Sequence, residues 1–171
     1  MRFPLATIFI GALACLSFSA GELRAQDNAL ERPDITMWPT LGTTVRAQAG
    51  DGVTPWQMRH VQMEPGAYVE LMRSGRYPEG AMLSADFHGV ERDTAHTPPL
   101  YRAGEPAGTA LEVIDRSHPD GRRFYLFAPG ARSATALPAG NACAVCHSAQ
   151  GSFDGTFAHL YPATSHLVQR R

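Results

Sequence analysis

The stretch ALEVIDRSHPDGRRFYLFA, residues 110–128, decides the fold. Its two ends, 110–115 and 123–128, are rich in β-branched and aromatic residues, and Pro119-Asp120-Gly121 between them is a strong turn signal. The pattern predicts an antiparallel hairpin. Working outward, residues 81–87 (AMLSADF) form a third strand candidate, entered through the turn Tyr77-Pro78-Glu79-Gly80, and residues 60–63 a fourth. Residues 65–73 (PGAYVELMR) predict a helix, with Pro65 in its first turn and Gly75 as its stop. Residues 88–109 read as a polar loop. A final short helix is expected to carry Phe157 and Tyr161, four positions apart on one face, and to end at Pro162.

Gly 16 and Pro 13 are scattered through the chain and interrupt the long periodic segments that a helical bundle needs. The expected class is therefore α+β, a small antiparallel β-sheet with flanking short helices. At 171 residues, 44% hydrophobic and 18% charged, the chain suits one globular domain. A formal net charge of -1 offers no concentrated positive field, so a nucleic-acid partner is not expected. All 15 basic residues are arginine; the chain contains no lysine.

The N-terminus, Met1-Arg2-Phe3-Pro4 followed by the apolar run FIGALACLSFSA and a polar stretch, matches an export signal. The run is too short to span a bilayer. Residues 1–25 are read as a secretory signal peptide, cleaved after Ala20 or Ala25, with a periplasmic destination. Leu13-Ala14-Cys15 partly imitates a lipidation box, so a lipid anchor through Cys15 is the lesser alternative. Loss of Cys15 with the signal leaves two cysteines.

Both lie in Cys143-Ala-Val-Cys146-His147. Three chemistries use a Cys-x-x-Cys pair. Zinc wants four ligands, and only His159 and His166, at an unusual spacing, are available to complete the set. A thioredoxin-type redox pair belongs at a strand-to-helix junction near the start of a domain, whereas this pair sits near the end of the chain. A c-type haem anchor accounts for all five positions. Two thiols add across the haem vinyls, and the adjoining histidine binds iron. The reading is one covalently attached haem c, with thioethers at Cys143 and Cys146 and axial iron ligation by His147, held near the C-terminus.

No methionine follows His147, which removes the usual late methionine ligand. Met37, Met58, Met63, Met72 and Met82 all precede it, as do His60, His88, His96 and His118; His159 and His166 follow. Any of these reaches iron only by folding onto it. The simpler expectation is an open distal position, which permits small ligands where two strong protein ligands favour electron transfer. Arg122, Arg123 and Arg132 are candidates for pairing with haem propionates, because a guanidinium fork suits carboxylates.

Taken jointly, EPGAYVELMRSG, YPEGAML, DGRRFYLF and CAVCH followed by SAQGSFDGTFAHLYP resemble the cytochrome P460 family, which includes the β-sheet cytochromes c′ (cytochrome c′-beta). The resemblance runs from about Trp56 to Pro162, and its last block is the most specific. With the signal read over 1–25, the expected domain organisation is that signal, a partly irregular N-terminal segment 26–55 and a haem domain 56–171. Members with the P460 haem carry a lysine bonded to the porphyrin and oxidise hydroxylamine. Without lysine that cross-link cannot form here. The resemblance therefore points to the gas-binding branch, with five-coordinate haem under an apolar, often phenylalanine-lined cap.

On that resemblance Phe87 is the candidate distal cap and Trp56 a second. Asp86 is a candidate carboxylate for proton transfer, although alternation along a strand lets only one of Asp86 and Phe87 face iron. Phe157 and Tyr161 are expected to pack on the haem or on the sheet. No catalytic residue is assigned. The expected function is an exported mono-haem cytochrome binding nitric oxide or a similar gas. The alternatives are an enzyme oxidising hydroxylamine or nitric oxide or acting as a peroxidase, and a six-coordinate electron carrier. A redox partner protein and, from the resemblance alone, a homodimer are the partners to expect.

Overall fold

The computed structural model describes residues 28–168. The signal expected over 1–25, and Cys15 within it, lie outside these residues. Seven strands and three α-helices follow in the order β1 (Ala29–Glu31), β2 (Thr40–Ala47), β3 (Pro55–Met63), α1 (Pro65–Ser74), β4 (Met82–Asp93), β5 (Leu100–Ile114), β6 (Arg122–Phe127), β7 (Ser133–Thr135), α2 (Ala142–Gln150) and α3 (Ser165–Val168), with a 3-10 turn at Ala158–Leu160 before α3. Strands β2 to β6 form one antiparallel sheet in chain order, while β1 and β7 pair separately. The α+β expectation holds, with the sheet as the larger part.

The expected hairpin is β5–β6, in which Thr109 faces Phe127 and Ile114 faces Arg122. Helix α1 forms where the sequence placed it. Glu64 caps it by accepting from the backbone N–H of Gly66 (2.8 Å) and Ala67 (2.6 Å), and Gly75 ends it in the left-handed region at φ 69°. Ala67 and Leu71, four apart, are its buried face.

Residues 88–109 are not a loop. Strand β4 runs on to Asp93 and β5 starts at Leu100, so only residues 94–99 connect them. This outer arm carries few apolar side chains because it extends past the core; backbone pairing and cross-strand contacts such as Arg102 with Glu91 at 2.5 Å hold it. The strand expected at 60–63 starts earlier, at Pro55. The segment 26–55 is irregular over 32–39 and 48–54, but it also supplies β1 and the edge strand β2. The final helix is shorter than expected: Phe157 and Tyr161 flank a single 3-10 turn, and Pro162 follows it.

Register fixes two faces of the sheet. Met63, Leu83, Glu112 and Phe124 stand in one row on one face, followed by Val61, Ala85, Ala110 and Leu126, then Arg59, Phe87 and Gly108. Leu41, Leu71, Tyr77, Phe153, Tyr161 and Leu167 close part of this face in the main core. On the opposite face Leu111, Tyr125 and Phe127 pack with Trp38, Leu30 and Ile35. Each such side chain, fully buried, contributes on the order of 1.5–3 kcal/mol of transfer free energy.

Candidate haem site

Asn141 starts the site. Its Oδ1 accepts from the N–H groups of Cys143 (2.9 Å) and Ala144 (3.1 Å), capping α2 one residue before the helix begins. Spacings of three and four then put Cys143, Cys146 and His147 on one side of the helix. Both thiols are free and partly buried. Burial pushes the Cys143 thiol up, so its surroundings favour an uncharged sulfur.

His147 lies between two aromatic edges, Phe124 and Phe157, each with its ring centre 4.9 Å away. Its Nδ1 donates to the carbonyl of Gly155 at 3.0 Å. That carbonyl is presented by the turn Phe153–Thr156, in which Asp154 (φ 51°) and Gly155 (φ 69°) are both left-handed. With Nδ1 so engaged, Nε2 is the nitrogen left to bind a metal.

The candidate distal residues separate. Phe87 lies on the sheet face that His147 contacts through Phe124, and the Arg59 guanidinium rests 5.4 Å from the centre of its ring. Asp86 points to the other face, where its Oδ1 accepts from Thr109 Oγ1 (2.5 Å) and lies 3.5 Å from Arg32. Trp56 is the extra residue of a β-bulge at the start of β3, between Pro55 opposite Ala47 and Gln57 opposite Arg46; it is 44% exposed, with Arg46 over its ring at 5.8 Å. Asp86 is thus turned away from the face that carries Phe124. Phe157 touches His147, and Tyr161 packs in the core with its phenol bonded to Thr44; burial raises that phenol above its ordinary range.

Two of the three arginines expected to pair with propionates have partners within the chain. Arg122 is committed to Glu112 and to the carbonyls of Gly155 (3.1 Å) and Asp154 (2.5 Å), Arg123 to Asp115 (2.6 Å) and Asn28 (3.1 Å), and Arg132 is exposed. Arg59 is a further cation on the relevant face, beside Phe87. It is partly buried, which lowers its pKa, and it lies within electrostatic reach of Tyr161 and Cys146. Sequence reading missed Arg59 and also Glu112, whose carboxylate lies 3.4 Å from His147 Nδ1. The signal for Glu112 was parity, since it shares a strand face with Ile114 of the core.

The surroundings fit a porphyrin. Beside the Cys143–His147 turn and Phe124, the same face continues in Leu126, which is 50% exposed, with Ala110, Ala85 and Phe87. A flat apolar ring suits such a strip, and a cation at its border suits its carboxylates. Zinc finds no such support: His159 bonds Ser152, and no group of three or more His, Cys, Asp or Glu suited to a metal occurs among the described residues.

A family model described as Cytochrome P460 matches residues 34–158, which takes in the five-stranded sheet, α1 and the Cys143–His147 turn. The chain belongs to the cytochrome P460 family. It is therefore a haem protein, and the cytochrome P460 match begins upstream of β2, ahead of the resemblance read from Trp56 onward. No curated protein matches the chain.

Proposed function

We propose that this cytochrome P460 family member is an exported mono-haem cytochrome of the c′-beta kind, which binds nitric oxide or a similar diatomic gas at an open iron position. Cys143 and Cys146 hold the haem by thioethers, and His147 Nε2 is its protein ligand. Bound haem supplies an iron that coordinates a small gas or exchanges an electron. The chain's own part is to fix the ring, exclude competing ligands and shape access.

One observation carries the reading. Among the described residues, the sheet face that His147 touches at Phe124 continues in Leu126, Ala110, Ala85, Phe87 and Arg59, and none of these side chains is a ready iron ligand. His60 is bonded to Thr40 and Thr43, His88 to the Gly104 carbonyl, Met82 packs on the opposite face, and Met63 is wholly buried in the core. The lack of lysine supports the gas-binding branch over the cross-linked oxidase. The enzymatic alternative rests on Asp86, which its bonds to Thr109 and Arg32 turn away.

Absorption spectra of the ferric and ferrous protein, with and without nitric oxide, test this. The expected result is a high-spin ferrous haem converted by nitric oxide. A low-spin ferrous haem indifferent to the gas refutes it.

A further inference from the structure

We propose that Glu112 is a positioning residue that directs negative charge onto the His147 imidazole, and that Arg122 sets how much of it His147 receives. Glu112 is only 6% exposed and stands mid-strand between Leu83 and Phe124. A buried carboxylate is costly unless it is paired and bonded. One of its oxygens, Oε1, meets Arg122 Nη1; the other, Oε2, is 3.4 Å from His147 Nδ1.

His147 Nδ1–H thus faces two acceptors, the neutral Gly155 carbonyl at 3.0 Å and the Glu112 carboxylate. Hydrogen bonds to charged acceptors are roughly twice as strong as neutral ones. Partners on the outer nitrogen of a ligating histidine fix its tautomer and raise its basicity. Arg122 touches both acceptors, through Glu112 Oε1 and through the Gly155 carbonyl at 3.1 Å, so its charge drains both. A salt bridge serving packing alone has no need to turn its second carboxylate oxygen toward a histidine. A more electron-rich imidazole favours ferric over ferrous iron, so Glu112 lowers the reduction potential and Arg122 limits the drop.

The inference rests on His147 as iron ligand, the part of the proposed function that does not depend on which gas is bound. The test uses the full haem-loaded protein. Glu112→Gln keeps the shape and removes the charge. It should raise the midpoint potential, read by spectroelectrochemistry without added gas, by at least tenfold in the ferrous-to-ferric ratio, about 59 mV for one electron. The iron–histidine stretching band of the ferrous protein should fall in frequency. Arg122→Gln should move both readouts the other way. A Glu112→Gln protein with unmoved potential and band, or two variants that shift in the same direction, overturns the proposal. If Glu112→Gln does not retain haem, Glu112→Asp, which keeps a charge beside Arg122 but withdraws it from His147, must shift the potential upward; no shift overturns it. A haem indifferent to nitric oxide refutes the gas reading and leaves this test intact.

Discussion

Replacing Gly155 by alanine separates backbone strain from damage to the His147 surroundings. Gly155 sits at φ 69°, where an L-residue costs about 1 to 2 kcal/mol. Its new Cβ would also fall on the Arg122 guanidinium, with Cζ at 2.9 Å and Nη1 at 3.2 Å. Arg122 joins the buried Glu112 to the turn, and losing one such charge-assisted bond costs about 1.5 to 3 kcal/mol. The total is about 2.5 to 5 kcal/mol. Gly121 is the matched control, at the same φ of 69° with nothing within 4 Å of where a methyl would stand, so Gly121→Ala should lose only the backbone part. At about 2 to 4 °C per kcal/mol for a chain this size, Gly155→Ala should lower Tm by about 5 to 20 °C and Gly121→Ala by about 2 to 8 °C. Thermal unfolding of both variants at equal haem loading, followed by circular dichroism, measures the difference. Equal melting temperatures refute the claim that Arg122 is locked against this turn.

Burial pushes the Tyr77 phenol up to about 12 from 10.0, while Thr156 bonds it at 3.0 Å. The unfolded chain then releases this proton from about pH 10 while the folded one holds it, so stability present below pH 10 falls by about 2 to 3 kcal/mol by pH 12; denaturant unfolding across that window should show a loss that Tyr77→Phe flattens. Leu71 is wholly buried between α1 and the sheet, so Leu71→Ala should cost about 2 to 5 kcal/mol in urea titrations. Phe87→Ala should change carbon monoxide binding by roughly tenfold, equivalent to about 1.4 kcal/mol, in flash photolysis. Asp86→Asn, on the opposite face, should leave that binding unchanged while lowering stability through Thr109 and Arg32. Cys146→Ala should leave haem attached by one thioether, seen as an altered pyridine haemochrome spectrum.

Legibility in the sequence followed local signals. The β5–β6 hairpin was written in Pro119-Asp120-Gly121 and α1 in Pro65 and Gly75, because turns and caps act over a few residues. The outer arm of β4 and β5 was invisible for the opposite reason. Residues such as Glu91, Arg92 and Arg102 carry no alternation when neither face of the strand meets a core, and only their pairing makes them strand. Alternation told that Asp86 and Phe87 must part company, but not which faced the Cys143–His147 turn; that depends on β3 and β5 lying either side of β4. Arg59 and Glu112 went unremarked for the same reason. Their partners, Phe87 and His147, are far away in the chain.

The strand order also sets a timetable. Strands β2 to β6 are neighbours in the chain as they are in the sheet, so each finds its partner already present as the polypeptide emerges N-terminus first. Arg59, Phe87 and Glu112 are thus laid down before the Cys143–His147 turn exists. Phe153, Tyr161 and Leu167, which shut the core over that face, come later still. The scaffold precedes the anchor and the anchor precedes the latch, so a chain cut short after Gln150 would carry Cys143, Cys146 and His147 and still lack the lid on its interior.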